Sequence, residues 1–172
     1  MSAIVTGPAI SSRRGLMNSE IRLVREYAHS RAKVWRALTD PSLMALWGMR
    51  PEGFAPVAGT RFRLVGKPNR GWRGYVECEV SEASEPEVLA YSWVDAEGAS
   101  TRQIRYSLQQ MPGGTRLIFE HCGFIGIGGF LLNKLIMLPG FRKTVGRNIP
   151  QVLAAMREDG TLRPGSALAP RF

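Results

Sequence analysis

RQIRYSLQQMPGGTRLIFEHC, residues 102–122, is the stretch that decides the fold. Ile104, Tyr106 and Leu108 alternate with polar residues before Pro112-Gly113-Gly114, and Leu117, Phe119 and His121 form a second alternating set after it. Two period-two runs joined by turn residues make an antiparallel hairpin with one apolar face. Working back toward the N-terminus, the same alternation places Leu89, Tyr91 and Trp93 on one face of VLAYSWV (88–94). It also sets Val76, Cys78 and Val80 against Tyr75, Glu77 and Glu79, and Phe62 and Leu64 against Arg61 and Arg63. Glu85-Pro86-Glu87 and the Asp95 to Gly98 stretch are turn chemistry, so the segment from Gly59 onward reads as an antiparallel meander.

Upstream of the meander, Ile21 and Leu23 alternate with Arg22 and point to a first strand over Glu20–Ala28. Ser30 is placed to cap a short helix through Val34, Trp35 and Leu38, and Asp40 before Pro41 is placed to cap a second through Leu43, Leu46 and Trp47. Such a pair also occurs in DNA readers, but a recognition helix needs polar side chains able to reach base edges. SLMALW offers only Ser42, so no specific nucleic-acid partner is expected. Downstream, Val145, Ile149, Val152, Leu153 and Met156 recur at three- and four-residue steps, which predicts a C-terminal amphipathic helix that kinks or begins at Pro150.

The chain has 172 residues, 44% hydrophobic and 22% charged, within the range of one folded domain and outside that of disordered chains. Residues 1–18 and 160–172 are irregular in sequence and are expected to be a flexible arm and tail around a domain at 19–159. The two cysteines, Cys78 and Cys122, are too few for a disulfide framework. No apolar core follows the first charges as in a secretory leader, and the expected compartment is the cytoplasm. A net charge of +9 favours anionic partners without naming one.

Strand, two short helices, antiparallel meander and final long helix resemble the helix-grip architecture of START domains and the birch-pollen allergen, the SRPBCC superfamily. Within it, two strings are similar to the family named after the activator of the heat-shock-protein-ninety ATPase. One is Val34-Trp35-Arg36-Ala37-Leu38-Thr39-Asp40-Pro41. The other is Gly114, Thr115, Leu117, His121, Gly123 and Phe124. The resemblance covers about Glu20 to Asp159 and implies an α+β fold, a curved antiparallel sheet gripping a long C-terminal helix. The chain departs from that family in having His29 before the first helix and an apolar insertion, Phe130–Phe141, where the last helix usually opens with Gly-Trp.

The architecture implies a volume between sheet and helix, and alternation lines it with Leu89, Tyr91, Trp93, Ile104, Tyr106, Leu108, Leu117, Phe119 and His121, with Arg102 at its mouth. Such a lining suits a small hydrophobic ligand bearing one or two oxygens, lipid-like or polyketide-like. His121 is the candidate acid/base group for an alternative reading as a cyclase or hydrolase of the same fold. A third reading, implied by the family name, is an ATPase-activating co-chaperone-like interaction protein. No Hx3H, HExxH, CxxC, GxSxG or P-loop spacing occurs, so neither metal nor cofactor is expected. The glycines 123, 126, 128 and 129 read as an entrance loop to that volume.

FIGIGGFLLNKLIMLPGF (124–141) is apolar except for Asn133 and Lys134, yet too broken by glycine and proline to read as a spanning helix. Phe130, Leu131, Leu132, Leu135 and Ile136, beside Lys134, Arg142 and Lys143, are expected to serve as a lid or an interfacial helix on an anionic membrane surface. The same segment is a candidate homodimer contact.

Overall fold

The structure is a computed structural model and describes residues 18–170. Except for Asn18, the arm expected at 1–18 lies outside the described residues. Seven strands form one antiparallel sheet: β1 (Asn18–Tyr27), β2 (Arg50–Glu52), β3 (Arg61–Val65), β4 (Tyr75–Ser84), β5 (Val88–Trp93), β6 (Arg102–Met111) and β7 (Gly114–Ile125). Their order across the sheet is β1-β7-β6-β5-β4-β3-β2, so every neighbour except the β1–β7 pair is sequential. Register shifts between Ser19 and Ile21, and between Val80 and Glu82, add local bends to the twist. The sheet curves around a core that includes Phe62, Leu64, Val76, Val80, Tyr91, Tyr106 and Phe119.

Between β1 and β2 come α1 (Arg31–Thr39) and α2 (Pro41–Trp47). Ser30 Oγ accepts from the Lys33 amide at 3.3 Å, and Asp40 Oδ1 accepts from the amides of Ser42 and Leu43 at 2.8 and 3.4 Å. Asp40 joins the two helices, because its own amide also closes α1 on the Arg36 carbonyl at 2.9 Å. Asp40→Ala is expected to lower stability by about 1 kcal/mol in a urea titration, whereas Asp40→Asn, which keeps the acceptor, stays close to the parent.

After β7 the backbone is helical from Gly126 to Ala155: α3 (Gly126–Leu132), α4 (Leu138–Lys143) and α5 (Ile149–Ala155), joined by π turns at Asn133–Met137 and Thr144–Asn148. The sequence reading starts this helix later and makes the glycines a loop. In the structure β7 runs on to Ile125, and Gly126, Gly128 and Gly129 form the first turn of α3. Pro150 neither ends nor starts an isolated helix. It follows a π turn, as does Pro139, where the wider winding relieves the missing N–H and the ring clash that proline brings. Each π turn also aims an asparagine inward: Asn133 Nδ2 donates to Ser19 Oγ at 3.0 Å and Asn148 Nδ2 to the Trp47 carbonyl at 3.0 Å. Beyond α5, the Arg163 amide bonds the Ala155 carbonyl at 2.9 Å and Leu168 packs against the core.

Candidate functional site

Cross-strand register assembles the site. Trp93 on β5 stands opposite Arg102 on β6, Ile104 opposite His121 on β7, and Tyr106 opposite Phe119. All ten residues expected to line the interior are buried: Leu89, Tyr91, Trp93, Arg102, Ile104, Tyr106, Leu108, Leu117, Phe119 and His121. They divide into two chemically different regions.

The first region is aromatic and internally satisfied. Tyr91 and Tyr106 bring their hydroxyls to 3.5 Å, and the Tyr106 ring lies 5.1 Å from Phe119 and 6.5 Å from Trp47. Burial holds the Tyr106 hydroxyl up at about 12 and pushes Tyr91 well above its ordinary value, so both are neutral hydroxyls.

The second region is polar and unsatisfied. Trp93 Nε1, Arg102 Nε and both ring nitrogens of His121 are buried and have no hydrogen-bond partner among the described residues. Around them the walls are apolar. The His121 ring lies 5.6 Å from Trp93, 4.7 Å from Phe124 and 5.2 Å from Phe141, and the Arg102 guanidinium sits 5.2 Å over the Phe124 ring. Arg102 is ion-paired with Asp95, so its charge is balanced while its Nε–H still points to no acceptor. Burial, reinforced by the Arg102 charge, lowers the His121 pKa to about 3, and the imidazole is neutral at ordinary pH. Orphaned buried donors are rare in folded proteins, and three side chains sharing the condition are a local anomaly.

Over this region lies α4. Phe141 stacks at 4.5 Å from Phe119 and 6.0 Å from Trp93, filling the space between sheet and helix. The sequence pattern puts Phe141 in the apolar insertion, Phe124 in the family string and Asp95 in a turn, and marks none of the three as lining the interior. Only the turn character of Asp95, seven residues before Arg102, hinted at the last. Two hollows open at the surface elsewhere, about 760 Å³ beside Gln151 and Leu168 and about 570 Å³ among Arg61, Glu77 and Ser92. Neither is lined by any of the ten interior residues. Of the expected lid set, Phe130, Leu131, Lys134, Leu135, Ile136, Arg142 and Lys143 face solvent, and Leu132 turns toward the core. No group of three His, Cys, Asp or Glu among the described residues is placed to hold a metal ion.

The sequence pattern described as Activator of Hsp90 ATPase homolog 1-like protein matches residues 28–149, from just after β1 to the first residue of α5. The chain belongs to this family. Both strings that suggested the resemblance fall inside the matched region, as does the apolar helix over the site. Among solved structures, the family member is similar to MLL2253 from Mesorhizobium loti at 25% identity and TM-score 0.64, covering 79% of this chain and 97% of that one. CalU16 from Micromonospora echinospora matches at 21% identity and TM-score 0.63, over 87% of this chain and 80% of its own. DynU16 of the dynemicin biosynthetic locus matches at 19% and 0.65 over 78% of this chain, which spans about half (47%) of that protein. The last two likenesses establish the helix-grip fold. No curated relative matches the chain.

Proposed function

We propose that the protein binds a small apolar molecule that carries an oxygen acceptor, seated between the sheet and α4 where Phe141 now lies. The observation that carries this reading is the set of unpartnered donors on Trp93, Arg102 and His121 within an otherwise apolar interior. A carbonyl or hydroxyl oxygen placed among them would satisfy groups that otherwise cost about 1–3 kcal/mol each. Because Asp95 already balances Arg102, a neutral oxygen fits better than a second buried carboxylate. The α3–α4 half of the helix is the natural way in. Among the described residues Asn133 gives it one side-chain hydrogen bond to the sheet, whereas the half beyond Lys143 is held by both Tyr27 Oη to the Val145 carbonyl at 2.6 Å and Asn148 to Trp47.

Denaturing extraction of the purified protein followed by mass spectrometry should release an apolar oxygen-bearing compound. Affinity for it should fall about tenfold in Trp93→Phe, the loss of roughly one good hydrogen bond. A fully empty extract, together with failure of a panel of apolar ketones and alcohols to bind, would overturn the reading. The enzyme alternative asks more of His121, whose low pKa disfavours proton uptake near neutrality. Turnover with a neutral-range pH profile, lost in His121→Phe, would favour it.

A further inference from the structure

The helix over the site has two unlike sides. Inward it sends Leu132, Met137, Leu138 and Phe141 onto the core. Outward it exposes Ile127, Phe130, Leu131, Leu135 and Ile136, with Leu135 at 70% and Ile136 at 64% of full accessibility, and Ile125 at the end of β7 continues the patch at 62%. The other exposed large apolar residues among those described, Val24, Val57 and Leu162, are scattered. A contiguous apolar patch of this kind on a surface helix calls for a partner.

Charge says which partner. From His121 to Arg157 the sequence has five cations and no carboxylate side chain. Lys134 lies 5.9 Å from the Phe130 ring centroid, running its stem along the apolar patch, and Arg142, Lys143 and Arg147 follow it, all exposed. On the sheet, by contrast, Arg22, Arg61, Arg63, Arg105 and Arg116 each meet a glutamate. None of Lys134, Arg142, Lys143 and Arg147 forms an ion pair with another described residue, although their exposure leaves them reachable. The exposed residues from Ile127 to Lys143 are Ile, Gly, Phe, Leu, Lys, Pro and Arg. That face offers no side-chain acceptor and no Tyr or Trp, the groups that give a protein interface its directional contacts. It suits a surface that is oily, anionic and fluid.

We propose that this face docks the protein on an anionic lipid bilayer. The helix lies in the headgroup plane, Leu131, Leu135 and Ile136 reach the acyl boundary, and Lys134, Arg142 and Lys143 sit at the phosphates. No helix among the described residues is long and apolar enough to cross a membrane, so the contact is peripheral.

Sedimentation with vesicles of phosphatidylcholine alone, or mixed with phosphatidylglycerol, tests this. The wild-type protein should pellet with the mixed vesicles, weakly with pure phosphatidylcholine, and less as salt is raised. Leu135→Glu should lower partitioning at least tenfold, and Lys143→Glu at least about fivefold, the factor for one cation lost. Thermal melts should stay near the parent, since both side chains are exposed. Absence of pelleting with either vesicle, equal pelleting with both, or a solution dimer that Leu135→Glu converts to monomer would each overturn the proposal. The dimer would mean that a second copy covers the face. Ligand extraction bears on none of these outcomes, so this proposal and the ligand reading fail separately.

Discussion

Urea titrations near pH 7 and near pH 4.5 should show the wild-type protein losing about 2–3 kcal/mol more stability on acidification than His121→Phe. The sign follows from the direction of the shift. Burial lowers the folded-state pKa of His121 to about 3, while the unfolded chain titrates near 6.5. Between those values the unfolded state binds the extra proton, so the contribution is fully present above about pH 6.5 and is lost as pH falls toward 3. His29 is shifted down as well, by its partial burial and then Lys33, and Glu158 and Asp159 are held low by hydrogen bonds. All three act in the same direction on acidification, which is why the difference between wild type and variant is the quantity to read. At neutral pH the variant should be as stable as the parent or more so, because an apolar ring replaces two unpartnered nitrogens among Trp93, Phe124 and Phe141. If it also binds the extracted ligand less well, the orphaned imidazole is retained for binding at a cost in stability. An unchanged acid limb would show that His121 is not buried neutral in solution.

Gly114→Ala should destabilise by at least roughly 3 kcal/mol, the scale at which core backbone must move. Gly114 opens β7 against the end of β1. A Cβ there would overlap the Tyr27 carbonyl oxygen, with the carbonyl carbon at 3.0 Å and the Ala28 Cα at 3.2 Å, all rigid backbone. Relief means pushing β1 away. That movement strains two bonds that tie the region together, Thr115 Oγ1 to the His29 carbonyl at 2.8 Å and Tyr27 Oη to Val145 at 2.6 Å. Gly113 next door is the control. Its φ of +78° is unfavourable for alanine, but nothing lies within 4 Å of the added atom, so Gly113→Ala should cost only about 1–2 kcal/mol. Chemical denaturation of the two variants side by side decides the matter, and equal losses would sink the steric account.

The strands were legible because period-two alternation leaves only two faces to choose from, and charge marks the outer one. Arg105, Arg116 and Glu120 stand opposite Tyr106, Leu117 and Phe119 along the same strands; Arg116 and Glu120 meet partners on β1, and Arg105 reaches across β5 to Glu82 on β4. The caps at Ser30 and Asp40 were legible for a similar reason, since a side-chain acceptor and a following proline act within a few residues. The long helix was legible at its C-terminal end, but its unbroken course from Gly126 was not. Gly128, Gly129, Pro139 and Pro150 read locally as interruptions, and what overrides them is distant: Ser19, Tyr27 and Trp47, each more than a hundred residues from the helix group it bonds. β2 was missed because three residues around Pro51 carry no period. At the site, alternation gave the inward direction of Trp93, Arg102 and His121. It gave nothing about which of their nitrogens find partners, because that depends on Asp95 claiming Arg102 and on Phe141 arriving from the last helix.

The pairing of β1 with β7 sets a timetable for biosynthesis. Its partners, from Asn18 with Ile125 to Tyr27 with Thr115, are on the order of 100 residues apart, a separation that makes closure slow. At ribosomal rates the first strand waits roughly 5–20 s for its neighbour to be made. Throughout that interval Ile21, Leu23 and Tyr27 form an uncovered greasy stripe on the nascent chain, broken by Arg22, Arg25 and Glu26, whose charges hold it in solution until β7 emerges from the exit tunnel.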